Sequence, residues 1–135
     1  MAILSDLMSR LVGDFPDFRF VRGNKFMFQP PQTIVVGPDE PDSSLLVLHE
    51  LGHALNGDFS FNTEVERLKI EVAAWEKARE LAARYSVEFD EEVMQRELDT
   101  YRDFLHQKSR CPKCGLTRFQ TVDGEFHCPR CDLIF

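Results

Sequence analysis

No stretch of this 135-residue chain approaches the ~20 consecutive apolar residues that a helix needs to span a bilayer. The opening MAILSDLMSRLVGDF lacks the basic stretch followed by an apolar core that marks a secretory signal. The expectation is therefore a cytoplasmic protein with no membrane attachment. Internal repeats and low-complexity tracts are absent, and 43% hydrophobic with 29% charged residues excludes wholesale disorder. Positive charge is in deficit: 16 Lys+Arg against 23 Asp+Glu give a net −7. Residues 44–105 hold 7 basic and 14 acidic groups, which argues against that region lying on a nucleic-acid backbone. Cysteine is missing from the first 110 residues, and all four cysteines lie between 111 and 131. With no export signal, that clustering points to metal rather than to disulfides.

The length suits one domain, or one small domain plus a module. Residues 3–12 have the apolar spacing of a short amphipathic helix. In FRFVRGNKFMFQPPQTIVVG, Phe18, Phe20, Phe26 and Phe28 alternate with other residues, which is the period of a strand. Gly23-Asn24 between the two halves reads as a hairpin turn. Pro30-Pro31 breaks the second strand, and Thr33–Val36 forms a third, ended by Gly37-Pro38. Asp42, Ser43 and Ser44 are alternative N-caps for a helix that runs to Gly57, a natural C-terminal stop. Thr63 and Glu66 form a capping box opening a second helix over about 64–85. A third helix follows over about 90–108, capped by Asp90. Helical periodicity then stops, and a module boundary falls near 108–110.

His49-Glu50-Leu51-Gly52-His53 has the form HExxH. On a helix, positions i and i+4 share one face about 6 Å apart along the axis, so two imidazoles can converge on one Zn²⁺. Glu50 can then serve as the general base toward a water that the metal activates, and carry the proton to the leaving amine. The segment LLVLHELGHALNG is apolar before and between the two histidines, and Gly52 leaves room for another backbone to approach. A catalytic zinc takes a third protein ligand. ALNGDFSFN after His53 contains no further histidine, which leaves a glutamate from the next helix. There, Glu64, Leu68, Glu71, Trp75, Ala78, Ala82 and Tyr85 form a stripe at spacings of 3 and 4. Glu71 sits in the middle of that stripe, where a carboxylate without a partner is costly and a zinc ion is a sufficient partner. Glu64 lies in the first turn, where the helix dipole accounts for it. Glu66, Glu76 and Glu80 fall on the solvated face.

HELGH followed 18 residues later by Glu71-Val-Ala-Ala-Trp75 resembles the gluzincin arrangement, and the short layout is similar to minimal gluzincins and ImmA/IrrE-type metallopeptidases. The resemblance covers about residues 1–105. It implies an α+β, zincin-like domain over 1–108: N-terminal helix, three-stranded sheet, HExxH helix, glutamate helix and third helix. It implies zinc peptidase chemistry on a protein or peptide substrate, with His49, His53 and Glu71 as ligands and Glu50 as acid/base. Gluzincins often carry Asp where Trp75 stands, so the support of a ligand histidine is unassigned. Asp58 is a candidate for it, although an Asp just past a helix end is more often a turn residue. Thr33–Val36 is either the edge strand that holds substrate by β-augmentation or a plain core strand. Tyr85, Tyr101 and His106 are candidate oxyanion donors, with packing or surface roles the favoured reading for each.

Cys111-x-x-Cys114 and Cys128-x-x-Cys131, separated by 13 residues, carry a zinc signature. A short hairpin, Thr117–Val122 and Glu125–His127 turning at Gly124, would bring the pairs together. The resemblance is to zinc-ribbon modules, here over 109–135. Four thiolates close the coordination shell, so this zinc would be structural, with His127 a bystander beside Cys128. Residues 106–135 hold five basic and three acidic groups, a net +2, which four thiolates and Zn²⁺ bring near neutral. That weakens a nucleic-acid role, although Arg118 with Phe119 and Phe126 offers a small stacking surface. SprT-like proteins also join HExxH to a zinc ribbon, but they use a third histidine that this chain lacks. The expectation is thus a metallopeptidase with two Zn²⁺. The alternative is a non-catalytic scaffold with a regulatory role, or a nucleic-acid-associated protein acting through the ribbon.

Overall fold

A computed structural model describes residues 2–131. Residue 1 and residues 132–135 of the two expected units lie outside the described residues. Helix α1 (Ala2–Asp14) leads into three strands, β1 (Arg19–Arg22), β2 (Met27–Gln29) and β3 (Thr33–Val36). Helices α2 (Ser43–Asn56), α3 (Glu64–Arg84) and α4 (Glu91–Lys108) follow, and a small hairpin of β4 (Phe119–Gln120) and β5 (Phe126–His127) closes the order. The architecture is α+β. No helix among the described residues is long and apolar enough to cross a membrane.

The helix boundaries follow their capping chemistry. Gly57 ends α2 in the left-handed region at φ 72°, its N–H bonded to Ala54. Thr63 Oγ1 accepts from Glu66 N–H at 3.1 Å, and Glu66 Oε2 accepts from Asn62 N–H at 2.9 Å. Asp90 Oδ1 accepts from Glu92 N–H at 2.9 Å. At α2 the N-cap position falls on Asp42, whose side chain pairs with Arg96 instead of capping. Ser43 Oγ spans the preceding turn, accepting from Glu40 N–H and donating to the Pro38 carbonyl.

The sheet departs from the expected hairpin. Its order is β1-β3-β2, with β1 parallel to β3 and β2 antiparallel to it. β1 and β2 are therefore not paired, and Gly23-Asn24 does not join a hairpin. Gly23 instead donates its N–H to the Val36 carbonyl, and a Cβ there would sit 2.4 Å from Val35 Cγ1. The glycine supplies room for the chain to pass the end of β3. The tight reversal is β2–β3, around the cis Pro30-Pro31 bond. β3 is the central strand, with Ile34, Val35 and Val36 all buried, so it has no free edge to offer a substrate. A run of apolar residues suits a strand covered on both faces, while the half-buried β1 and β2 form the edges.

Leu4, Leu7 and Leu11 of α1 pack with Ile34 and Val36, Leu48 and Leu51 of α2, Trp75, Ala78 and Leu81 of α3, and Met94 and Leu98 of α4. α2 and α3 approach closely at Gly52. A Cβ on Gly52 would meet the Ala74 carbonyl oxygen at 2.6 Å, so only glycine permits this crossing. That closeness carries α3 to the HExxH face.

Candidate metal centres

The first centre lies where α2 and α3 cross. His49, His53 and Glu71 are all buried. His49 Nε2 lies 3.0 Å from Glu71 Oε1, and His53 Nε2 lies 3.0 Å from Glu71 Oε2. One ligand atom from each residue falls within a 4.8 Å cluster, a His-His-Glu triad that could bind metal. In the metal-free protein this triad is a charge network. Burial disfavours a charge on His49, but hydrogen bonds to Glu50 and Glu71 outweigh it and hold the imidazole up at about 9. Burial opposes ionisation of Glu71 too, yet the bonds from His49 and His53 draw it down to about 2. His53 is raised in the same way, burial being outweighed by Glu71.

Three further groups fix the two rings. His53 Nδ1 lies 3.1 Å from Asp58 Oδ2, so the Asp58 carboxylate orients this imidazole through the nitrogen that faces away from Glu71. The His49 ring stacks on Trp75, with centroids 4.3 Å apart and planes 9° from parallel. Trp75, the residue that left the support of a ligand histidine unassigned in the sequence, thus packs its face on His49. His49 Nδ1 lies 3.1 Å from Glu50 Oε2, and Glu50 Oε1 accepts from Phe28 N–H at 2.8 Å. Glu50 is therefore tied at one oxygen to the β2 backbone and at the other to a triad histidine.

The triad opens into a cleft of about 480 Å³ lined by Phe26, Phe28, Asp58, Phe59, Arg67 and Tyr101, among others. Tyr101 reaches it from α4. Burial, then the nearby charge of Glu71, pushes its hydroxyl up to about 12. Packing was the favoured reading for this residue. The spacing Met94, Leu98, Tyr101 does place it on the face of α4 that meets α3, which is the signal in the sequence that could have found it. The loop aromatics Phe59 and Phe61 are exposed at the rim, and no periodicity in the sequence marks them. Tyr85 lies elsewhere, its hydroxyl bonded to Asp14 at 2.6 Å. His106 sits near the end of α4 and does not line the cleft. Glu64 pairs with Arg67 in the first turn of α3, and Glu76 and Glu80 pair with Arg79 and Lys77 on its outer face.

The second centre gathers Cys111, Cys114, Cys128 and Cys131 within the same 4.8 Å limit. Sulfur atoms 3.6 Å apart for Cys111–Cys131 and for Cys114–Cys128 are too far for disulfides. They match the ~3.8 Å edge of a tetrahedron built on ~2.3 Å zinc–sulfur bonds. The four residues form a zinc-ribbon-like cluster carried by the β4–β5 hairpin, with Gly124 at φ 91° in its turn. His127 stands outside the cluster, stacked on Phe119. The hairpin also reaches the first centre's scaffold: Gln120 Oε1 accepts the Glu64 N–H at the start of α3. The chain thus holds two candidate sites whose donors suit zinc. Comparison with protein-family models, curated proteins and solved structures finds no match for this chain.

Proposed function

We propose that this chain is a zinc-dependent peptidase of gluzincin type, with His49, His53 and Glu71 as ligands and Glu50 as the general acid/base. The observation that carries this reading is the convergence of both Nε2 atoms on one buried carboxylate, with Glu50 alongside in an open cleft. The donor set fits the group. Two imidazoles and one carboxylate are the ligands of catalytic zinc sites that keep a position open, and the 3.0 Å contacts approach the ~3.3 Å edge expected for ~2.0–2.1 Å bonds. When bound, zinc supplies Lewis acidity, polarising the scissile carbonyl and acidifying a water.

The chain's own residues do the rest. A carboxylate offers about four acceptor positions, and the contacts to Phe28 N–H and His49 use two. The remaining lone pairs let Glu50 take a proton from the attacking water and return it to the leaving nitrogen. Asp58 holds His53 in the tautomer whose Nε2 is a ligand. Tyr101, kept protonated, offers an O–H donor to the developing oxyanion. β2 is an edge strand beside the cleft and takes the substrate-holding role that Thr33–Val36 cannot, through main-chain groups other than the Phe28 N–H, which Glu50 already takes. The cysteine cluster would hold the second zinc, which is structural. The decisive experiment compares zinc-loaded wild type with Glu50→Gln on a panel of peptides and unfolded proteins. Loss of cleavage by ~10²-fold or more with zinc retained is the expected result. Equal cleavage by both proteins would remove Glu50 from the chemistry.

A further inference from the structure

Two cations line the cleft, Lys25 and Arg67, and the chemistry above uses neither; Arg67 is the one on the helix that carries Glu71. It lies four residues before Glu71 on α3, about 6 Å back along the axis on the same face. Its guanidinium sits over the Tyr101 ring at 4.8 Å and the Phe61 ring at 5.5 Å. These two aromatics flank the guanidinium from different elements, α4 and the loop after α2. Its acidic neighbour Glu64 stands off at 3.7 Å, beyond hydrogen-bond distance. Two rings thus flank the guanidinium, and no carboxylate among the described residues grips it with a hydrogen bond. Around it the cleft wall is aromatic, with Phe28 and Phe59 in tilted contact at 6.2 Å. Such a wall displaces water and strengthens a charge pair formed beside it.

We propose that Arg67 is a specificity-determining residue that selects substrates carrying a carboxylate within about two residues of the scissile bond. Both side chains line the same cleft from backbone positions one helical turn apart, ~6 Å, and an extended peptide advances ~3.3 Å per residue, so about two residues match that spacing. The planar fork suits a carboxylate, which it can grip with two parallel hydrogen bonds. A C-terminal carboxylate and an Asp or Glu side chain offer the same chemistry. This inference rests on the reading of the triad as a peptidase zinc site.

The test uses four zinc-chelating hydroxamates built on a Phe-X dipeptide: X is Ala acid, Ala amide, Asp amide or Asn amide. Their dissociation constants are measured by calorimetry on the full-length zinc-loaded chain, alongside its zinc content. Wild type should bind at least one carboxylate form about 10- to 100-fold tighter than its neutral partner. Preference for the Ala acid assigns the site to a chain terminus, and preference for the Asp amide assigns it to an acidic side chain. Arg67→Met should bring the ratio to near one while keeping zinc, and Arg67→Lys should leave a reduced ratio, because it restores the charge without the fork. Equal binding of acid and neutral forms by wild type would overturn the role of Arg67 and leave the zinc site standing. Failure of every hydroxamate to bind zinc-loaded wild type would overturn the peptidase reading, and this proposal with it.

Discussion

Gly52→Ala should uncouple zinc binding from folding. An added Cβ would lie 2.6 Å from the Ala74 carbonyl oxygen and 3.3 Å from Lys77 Cβ. Ordinary contact begins near 3.4 Å, so α3 must retreat from α2 by about 0.8 Å. The obstacle is backbone and cannot rotate aside. In an open helix the change would gain ~1 kcal/mol, because alanine is the better helix former. Overpacking at a tight contact costs ~1–3 kcal/mol. The net is a loss of about 0–2 kcal/mol, which a domain of ordinary stability survives. The ligand geometry is far less tolerant. Glu71 lies one turn from Ala74 on the same rigid helix, and metal–ligand distances hold to about ±0.2 Å. Zinc affinity at the triad should therefore fall at least ~10-fold, while urea unfolding in excess chelator, followed by circular dichroism, shifts little. Competition against a chromophoric chelator measures the affinity, with the cysteine site counted separately. A variant that gains ~1 kcal/mol and keeps wild-type affinity would refute the close crossing and the positioning of Glu71 that follows from it.

Elemental analysis of the purified chain should return two zinc ions, and Cys114→Ser should lose one of them. That variant should unfold the hairpin region, since metal binding supplies ~10 kcal/mol or more to such a module, while the helices persist by circular dichroism. Loss of all helical signal would show that the module is integral to the core. In the metal-free protein, the His49 contribution to stability is fully present below its ordinary 6.5 and is lost as pH rises through about 9. The Glu71 contribution is present above 4.5 and is lost as pH falls toward about 2. Chelated protein should thus be most stable to urea between those ordinary values, and zinc affinity should climb from pH 6 to 9 as the metal displaces the His49 proton. A flat affinity across that range would contradict the charge network.

The helices and their caps, the N-cap of α2 excepted, were legible because their signals are local. Thr63, Asp90 and Gly57 each act on neighbours within a few residues. The triad was legible because two of its members share a helix and the third broke an apolar stripe. The sheet order was not. Phe20 and Phe28 alternate in the same way whether their strands pair or flank a third, and Gly23 reads as a turn residue when it serves as a space for Val35. The Asp58 contact to His53 and the place of Tyr101 depend on how loop and helix return to the cleft, a tertiary matter on which spacing is silent.

The stacking of Trp75 on His49 has an optical consequence. Trp75 is the chain's single tryptophan and is fully buried, so all indole emission originates beside the triad. A protonated imidazole in face contact quenches an excited indole by accepting an electron. Displacing that proton with a closed-shell metal ion changes the acceptor. The indole emission of the unlabelled protein should therefore change as His49 exchanges its proton for a metal, which gives the triad an optical readout that needs no added label.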